Sequence, residues 1–172
     1  MMGAEMWVAP SQDDLVGAYK LGMRRMAAAV CLMSQDDAGV RKGMAATAVT
    51  SLSVDPPSLL ACVNRSASLN PTLQVGALFA VSVLSRWHET LASNFSSSEL
   101  RHLRFTEGRW RTHALGVCYL EDAQCSFVCR VERRVEHFSH TIVIANVLDV
   151  SNSAAIDPLL YVDGTYQGLH LR

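Results

Sequence analysis

A run of hydroxyl side chains between Gly43 and Ser68 is the part of the sequence best suited to bind a small ligand. The run contains two mostly apolar stretches, GMAATAVTSLS and SLLACVN. Their alanines let a flat ligand approach the backbone, and hydroxyls, backbone N–H groups and the single arginine Arg65 can together hold a phosphate. An ordinary strand with serine and threonine on its solvent face has the same composition, so both interpretations stay open. The hydroxyl residues are Thr47, Thr50, Ser51, Ser53, Ser58, Ser66 and Ser68.

The common phosphate-binding and hydrolase motifs are absent from the sequence. There is no G-x-G-x-x-G, no G-x-x-x-x-G-K-[ST] and no G-x-S-x-G, which excludes the standard dinucleotide cradle, the P-loop and the serine nucleophile elbow. Any bound phosphate must therefore be held in another way.

His137 and His140 precede a long β-rich run. A histidine at the mouth of a strand can donate a hydrogen bond to an anionic ligand. A metal site is not predicted, because no third histidine, cysteine or carboxylate lies at ligand spacing. The cysteines are odd in number and scattered, which favours buried thiols over a disulfide framework or a zinc site. They are Cys31, Cys62, Cys118, Cys125 and Cys129.

A basic and aromatic segment, RHLRFTEGRWRTH at 101–113, could in principle stack single-stranded nucleic acid. The whole chain of 172 residues has a net charge of −1, however, so no general basic field attracts nucleic acid or an anionic membrane. We therefore expect a solvated loop that packs Trp110 on the core, and neither nucleic acid nor membrane as a partner. No spanning segment or signal peptide is recognised, and a cytoplasmic location is expected.

The elements that position these residues are mostly strands. Ser11 resembles a helix N-cap, and the spacing of apolar residues predicts an amphipathic helix from Gln12 to about Arg25 with its apolar stripe on the core. Asn70-Pro71 predicts a short helix that ends near Gly76, and 96–98 before Glu99 predicts another. The predicted strands are AAAVCLMS, MAATAVTSLS, SLLACVN, LFAVSVLS, Cys125–Arg134, Thr141–Val150 and a closing strand in PLLYVDGTYQGL.

Six or seven strands without strand–helix alternation predict an antiparallel barrel. QDDAGVRKG is typical of a hairpin connection, and Asp55-Pro56-Pro57 breaks the chain between two strands. The hydrophobic content of 49% suffices for a core of one domain, residues 1–172. Residues 1–10 are expected to form a flexible N-terminal segment. In the closing strand, the rings of Tyr161 and Tyr166 could also line a pocket.

The sequence resembles the flavin reductase family, whose members are the small reductase partners of two-component flavin-dependent monooxygenases. The resemblance runs from about Met26 to Leu169 and is most specific in the first of its stretches. It implies a mainly β fold: an antiparallel split β-barrel of the Greek-key, FMN-binding type with a few flanking helices. The matching stretches are RKGMAATAVTSLSVDPPSLLACVNRSAS, LFAVSVLS, LASNF, RFTEGRW, CRVERRVEHFSHTIVIANV and PLLYVDGTY.

The resemblance also implies site residues. His140 and Tyr166 look like residues near the nicotinamide, and no residue is expected to do more than position the reactants. Phe138-Ser139 stands where the family often has Gly-Asp, a difference that affects the loop before His140. The segment that resembles the flavin-ring and ribityl contacts is Ala46, Thr47, Ala48, Val49, Thr50 and Ser51. The segment that resembles the flavin-phosphate contacts is Cys62, Val63, Asn64, Arg65, Ser66 and Ser68.

The activity that the resemblance implies is hydride transfer from NADH or NADPH to FMN or FAD, in a homodimer that supplies reduced flavin to a monooxygenase. Two other functions are weighed beside it. One is a flavin- or haem-binding oxidase or sensor of the pyridoxamine-phosphate-oxidase type, for which more basic residues would be expected around the phosphate. The other is a non-catalytic barrel that binds a protein partner and no cofactor.

Overall fold

Strands make up most of the computed structural model, which describes residues 11–169. The prediction of a flexible segment at 1–10 lies outside this range. Two α-helices are present in it, α1 (Gln12–Met23) and α2 (Glu89–Ser96). The strands are β1 (Ala28–Ala29), β2 (Cys31–Asp37), β3 (Val40–Ala46), β4 (Val49–Val54), β5 (Pro57–Asn64), β6 (Leu78–Val83), β7 (Trp110–Thr112), β8 (Cys118–Leu120), β9 (Cys125–His137), β10 (His140–Asn152), β11 (Leu159–Val162) and β12 (Thr165–Gly168).

The main sheet has seven antiparallel strands in the order β3-β2-β6-β9-β10-β5-β4. Its two edge strands, β3 and β4, follow each other in the chain and are joined only by Thr47 and Ala48. The twisted sheet therefore curls until its edges meet at this link, while no ladder of hydrogen bonds joins β3 to β4 in residues 11–169. The predicted antiparallel split barrel is confirmed.

Local turn chemistry sets the order of the strands. Ala38 and Gly39 have φ angles of +52° and +84° at the tip of the β2–β3 hairpin, as a type I′ turn requires. Asp163 and Gly164, with φ angles of +51° and +80°, turn β11 into β12 in the same way. The predicted hairpin in QDDAGVRKG is confirmed, and the predicted closing strand in PLLYVDGTYQGL is a hairpin of two strands, β11 and β12.

Both faces of the central strands are buried. Met33, Phe79 and Val81 point into the barrel, where they pack with residues of β5, β9 and β10. Leu32 points to the opposite face and packs with Phe95 of α2 in a second cluster, which Trp110 also contacts. The prediction that the basic segment packs Trp110 on the core is therefore confirmed.

The helices differ from the sequence-based expectation. Ser11 caps α1 as predicted, by accepting a hydrogen bond from the backbone N–H of Asp14. The prediction that the apolar stripe of α1 lies on the core is wrong, since Leu15 and Tyr19 are 53% and 63% exposed. None of the helices in the range 11–169 has the length and apolar character to span a bilayer.

The short helix predicted after 96–98 is a single 3₁₀ turn, Arg101–Leu103. The longer helix α2 precedes it and ends at Ser96. Ser85 caps the route into α2: its backbone N–H donates to Nδ1 of His88 over 3.2 Å, and a 3₁₀ turn at Arg86–His88 leads into the helix. The helix predicted at Asn70-Pro71 is a single 3₁₀ turn, Asn70–Thr72, which ends before Gly76.

Candidate functional site

A cleft of about 610 Å³ lies where the two edges of the main sheet meet. The link between β3 and β4 forms its floor, α1 forms one wall and β11 forms the other. Of the residues predicted to contact a flavin ring, those that line this cleft are Thr47, Ala48, Val49 and Thr50. Cys62 of β5 was predicted to belong to the phosphate segment, but it lines this cleft too. The volume falls within the usual range for small-molecule sites.

The floor of the cleft offers backbone groups as well as hydroxyls. β4 pairs with β5 on one side and has no neighbouring strand on the other side within the range 11–169. An edge strand presents unpaired N–H and C=O groups, and the exposed Thr47, Ala48 and Thr50 leave this edge accessible. Ala48 is tied to β5, because its carbonyl accepts a hydrogen bond of 2.9 Å from the backbone N–H of Cys62. The floor is thus a fixed surface to which a flat polar ring can bind.

A smaller cleft of about 250 Å³ adjoins the first and shares Thr47 and Tyr161 with it. Tyr166 lines this smaller cleft with Ala46 and Ser96, and its hydroxyl lies 3.2 Å from the Ser96 hydroxyl. The rings of Tyr161 and Tyr166 meet edge to face with 5.4 Å between their centroids. The two tyrosines of the closing hairpin therefore do line pockets, as one of the two interpretations of their rings suggested.

The residues predicted to hold a phosphate are divided between β5 and the loop that follows it. Cys62, Val63 and Asn64 belong to the strand, whereas Arg65, Ser66 and Ser68 lie in the loop, outside both clefts as the described chain forms them. Asn64 organises this loop, since its Oδ1 accepts hydrogen bonds from the backbone N–H and the hydroxyl of Ser66 at 2.9 and 2.8 Å. Arg65 donates through Nη1 to the carbonyl of Phe138 at 3.3 Å, and it lies 3.7 Å from the carboxylate of Glu136. Ser68 is exposed beside them.

Val63 lies within β5 and differs from the residues that follow it because its side chain is fully buried in the barrel. Its carbonyl accepts a hydrogen bond of 3.2 Å from Nδ2 of Asn70, which also donates to the Thr141 hydroxyl. Arg134 in turn donates to Oδ1 of Asn70 at 3.1 Å. Val63 thus anchors the loop, and the exposed residues that follow it are the ones available to a ligand.

His140 and Tyr166, both predicted to lie near the nicotinamide, occupy different places in a single chain. His140 is exposed at the start of β10, opposite Asn64 in the strand register, and its Nδ1 lies 2.9 Å from the Ser139 hydroxyl. It is therefore beside the phosphate loop, whereas Tyr166 lines the smaller cleft. The structure brings Tyr166 together with Thr47, and it brings His140 together with Arg65 through the β9–β10 turn.

The contribution of α1 to the cleft was not predicted from the sequence. Tyr19, Lys20, Met23 and Arg24 line it, although the apolar members of this set were expected to pack on the core. The sequence did contain a sign of this role, because the two cations Lys20 and Arg24 lie one helical turn apart beside the apolar stripe. Among the described residues no cluster of three or more histidine, cysteine or acidic side chains could hold a metal ion.

The thiols are arranged largely as the sequence predicts. Cys31, Cys118 and Cys129 are buried, and Cys62 and Cys125 are half-buried. Burial raises the pKa of Cys31 and of Cys129 to about 12, because the apolar surroundings disfavour the thiolate. These two thiols are therefore inert at neutral pH, and Cys62 is the one that faces the larger cleft.

Comparisons with known proteins agree with this architecture. The family described as "Flavin reductase like domain" matches residues 23–170. FMN reductase (NADH) RutF of Agrobacterium fabrum is 36% identical over 151 residues, which span 88% of this chain and 87% of the relative.

Two solved structures have the same fold. A flavin reductase domain protein from an Arthrobacter species is 26% identical, with a TM-score of 0.82 over 91% of this chain and 97% of that one. The styrene monooxygenase flavin reductase (SMOB) of Pseudomonas putida is 27% identical, with a TM-score of 0.78 over 90% and 98%. With the split barrel and the cleft at its open edge, these matches show that the chain belongs to the flavin reductase family of oxidoreductases.

Proposed function

We propose that this protein transfers hydride from NADH or NADPH to FMN or FAD, and that a partner monooxygenase uses the reduced flavin. The observation that carries this proposal is the larger cleft, whose floor is the open edge of β4. A flat, polar-edged ring fits such a floor better than a globular ligand does, because small side chains and strand backbone meet it along one side. The name of the relative from Agrobacterium fabrum, FMN reductase (NADH), favours FMN and NADH as the first pair to test.

When bound, the flavin accepts the hydride at its N5 atom, and this chemistry belongs to the two ligands. The role of the chain is to hold the reactants in contact and to exclude water. Thr47 and Thr50 offer hydroxyls to the polar edge of the ring, and those backbone N–H groups of 47–51 that point away from β5 offer hydrogen bonds that stabilise developing negative charge. No acid–base pair is needed, and none of the lining residues forms one.

The loop after β5 would hold the flavin phosphate. Its exposed donors are the hydroxyls of Ser66 and Ser68 and the guanidinium of Arg65, whose ion pair with Glu136 is long and exposed. Exposed ion pairs contribute little, so Arg65 can turn from Glu136 to a phosphate at small cost. His140 borders the same loop and is proposed to orient the nicotinamide.

We also propose that the protein is a homodimer. Apolar side chains are exposed near the open edge of the sheet, among them Leu52 and Val54 of the β4–β5 hairpin, at 49% and 85%, and Tyr19 of α1. Contiguous exposed apolar surface is typical of an interface. A second copy packed here would bury these residues and complete a site that one chain leaves open on the side of His140.

The proposal is tested by mixing the purified protein anaerobically with each flavin and each nicotinamide cofactor and following the loss of flavin absorbance. We expect bleaching that depends on the protein and on NADH. Thr50→Val removes one hydroxyl from the floor and should weaken flavin binding, while Thr112→Val, an exposed threonine of β7 away from both clefts, should not. No bleaching by the unmodified protein with any pair would refute the proposed activity.

A further inference from the structure

The α1 wall of the larger cleft carries two positive charges that the proposed hydride transfer leaves without a role. Lys20 and Arg24 both line the cleft, beside Tyr19 and Met23. They are four residues apart in the sequence, and such residues lie on the same helix face, one turn from each other. The remaining lining is mostly apolar or hydroxyl-bearing, and Asp163 of the β11–β12 turn is the one carboxylate among the described lining residues.

Both cations remain available to a ligand. Lys20 forms no ion pair with any residue in the range 11–169. Arg24 lies 3.7 Å from Asp163, but the two side chains are 55% and 85% exposed, and water screens such a pair. A stronger backbone contact fixes the position of Arg24, because its carbonyl accepts a hydrogen bond of 2.7 Å from the N–H of Asp163.

The guanidinium of Arg24 also packs closely against the β11–β12 turn. A Cβ atom on Gly164 would collide with it, so glycine at this turn leaves room for the side chain at the cleft. Arg24 is thus held between the end of α1 and the turn, and Lys20 lies one helical turn before it. The cleft thus has a cationic wall opposite an uncharged floor.

Two adjacent cations complement the two adjacent negative charges of a diphosphate, which Arg can bind through two parallel hydrogen bonds. The loop proposed to hold the flavin monophosphate, 64–68, does not line this cleft. A flavin bound by that loop therefore leaves Lys20 and Arg24 unused. We propose that Lys20 and Arg24 bind the diphosphate of a dinucleotide, either the nicotinamide co-substrate or FAD. The inference rests on the proposed function.

The test compares Lys20→Gln with Arg25→Gln, which removes the same charge from the neighbouring turn outside the cleft. Three measurements are made: the dissociation constant of ADP-ribose, which has the diphosphate but no nicotinamide; the KM for NADH; and the dissociation constants of FAD and FMN. Since a charged hydrogen bond is lost, we expect Lys20→Gln to weaken the diphosphate ligand by about tenfold. FMN binding and the thermal midpoint should be unchanged, and Arg25→Gln should resemble the unmodified protein.

The ligands separate the two sources of the diphosphate. If Lys20→Gln raises the KM for NADH and weakens ADP-ribose binding, the diphosphate bound here is that of the nicotinamide co-substrate. If the substitution weakens the binding of FAD but not that of FMN, the diphosphate is that of FAD. Either result supports the inference. Equal weakening of FMN, or no change in any ligand, overturns it. If the unmodified protein binds ADP-ribose through Lys20 but never bleaches a flavin, the proposed activity fails and the diphosphate site stands.

Discussion

Asn70 holds the end of β5, from which the loop proposed to bind phosphate begins. Its side chain is buried and links three separate parts of the chain, the carbonyl of Val63, the hydroxyl of Thr141 and the guanidinium of Arg134. A buried polar group left without a partner loses its hydration and gains nothing in return. The position of the exposed residues that follow Val63 therefore depends on this network.

Replacing Asn70 with alanine should destabilise the fold by about 1–3 kcal/mol, because it leaves the buried partners of its amide unsatisfied. Urea unfolding measures the loss. Asn152→Ala is the matched control, because Asn152 is exposed at the end of β10, and it should change the free energy of unfolding little. An equal effect of both substitutions would contradict the role assigned to Asn70.

His88 makes stability depend on pH. Burial lowers its pKa below the ordinary 6.5, and the nearby Asp122 opposes this shift only in part. Below about pH 6.5, His88 is protonated in the unfolded chain but stays neutral in the folded chain. Its contribution to the free energy of unfolding is therefore fully present above that pH and decreases as the pH drops toward the folded pKa. In His88→Asn the amide oxygen can still accept the Ser85 N–H bond and does not titrate. Between about pH 7.5 and 5.5, the thermal midpoint should therefore drop less in this variant than in the unmodified protein. An equal drop in both proteins would refute the assignment.

His140 should serve the nicotinamide and not the flavin. His140→Ala is expected to raise the KM for NADH and to leave the dissociation constant of FMN nearly unchanged, because the ring makes no contact with the floor of the cleft. Steady-state kinetics and flavin titration measure the two quantities. If NADH use and FMN affinity were weakened equally, His140 would instead act with the phosphate loop in binding the flavin.

The packing of β3 against α2 depends on a glycine. A Cβ atom on Gly43 would lie 2.7 Å from Cε1 of Phe95 and 3.0 Å from the carbonyl of Met33. Arg104 reinforces the contact, since its Nη1 donates to the Gly43 carbonyl at 2.9 Å. The strand and the helix can therefore approach closely only where no side chain intervenes.

Gly43→Ala should cost about 1–3 kcal/mol of stability, because Phe95 and the strand must move apart. Gly22→Ala is a matched control: Gly22 lies in α1 with open space where the Cβ would stand, and alanine there should stabilise the helix by up to about 1 kcal/mol. Denaturant unfolding distinguishes the two. A neutral Gly43→Ala would show that β3 and α2 pack more loosely than their distances indicate.

The proposed homodimer concerns the open edge of the barrel. One chain of 18.8 kDa exposes apolar side chains of α1 and of the tip of the β4–β5 hairpin. A homodimer would bury this surface, and symmetric self-association is the commonest way in which proteins do so.

Sedimentation should give twice the mass of the 18.8 kDa chain. Val54→Lys places a charge on the exposed hairpin tip and should shift the mass toward one chain, since burying an unpaired charge is costly. Val40→Lys, a similar change on the β2–β3 hairpin, serves as the control. A single-chain mass for the unmodified protein would refute the homodimer.

Most of the strands and the hairpin turn at Ala38-Gly39 could be predicted from the sequence, because β-rich runs and turn residues act over a few residues. The order of the strands in the sheet was not predicted, since it depends on pairing between distant segments. Thr47 to Thr50 were predicted as flavin contacts from the resemblance, but the prediction of one strand over MAATAVTSLS is wrong, because the chain breaks there between β3 and β4.

Only the tertiary structure decided that Tyr19 and Lys20 face the cleft, that α2 follows a cap at Ser85, and that Val63 is buried beside exposed neighbours. Each of these depends on contacts between segments far apart in the chain. An amphipathic pattern shows that a helix has an apolar side, but it does not specify the surface that this side meets. That surface exists only once the sheet has curled and its two edges have come together.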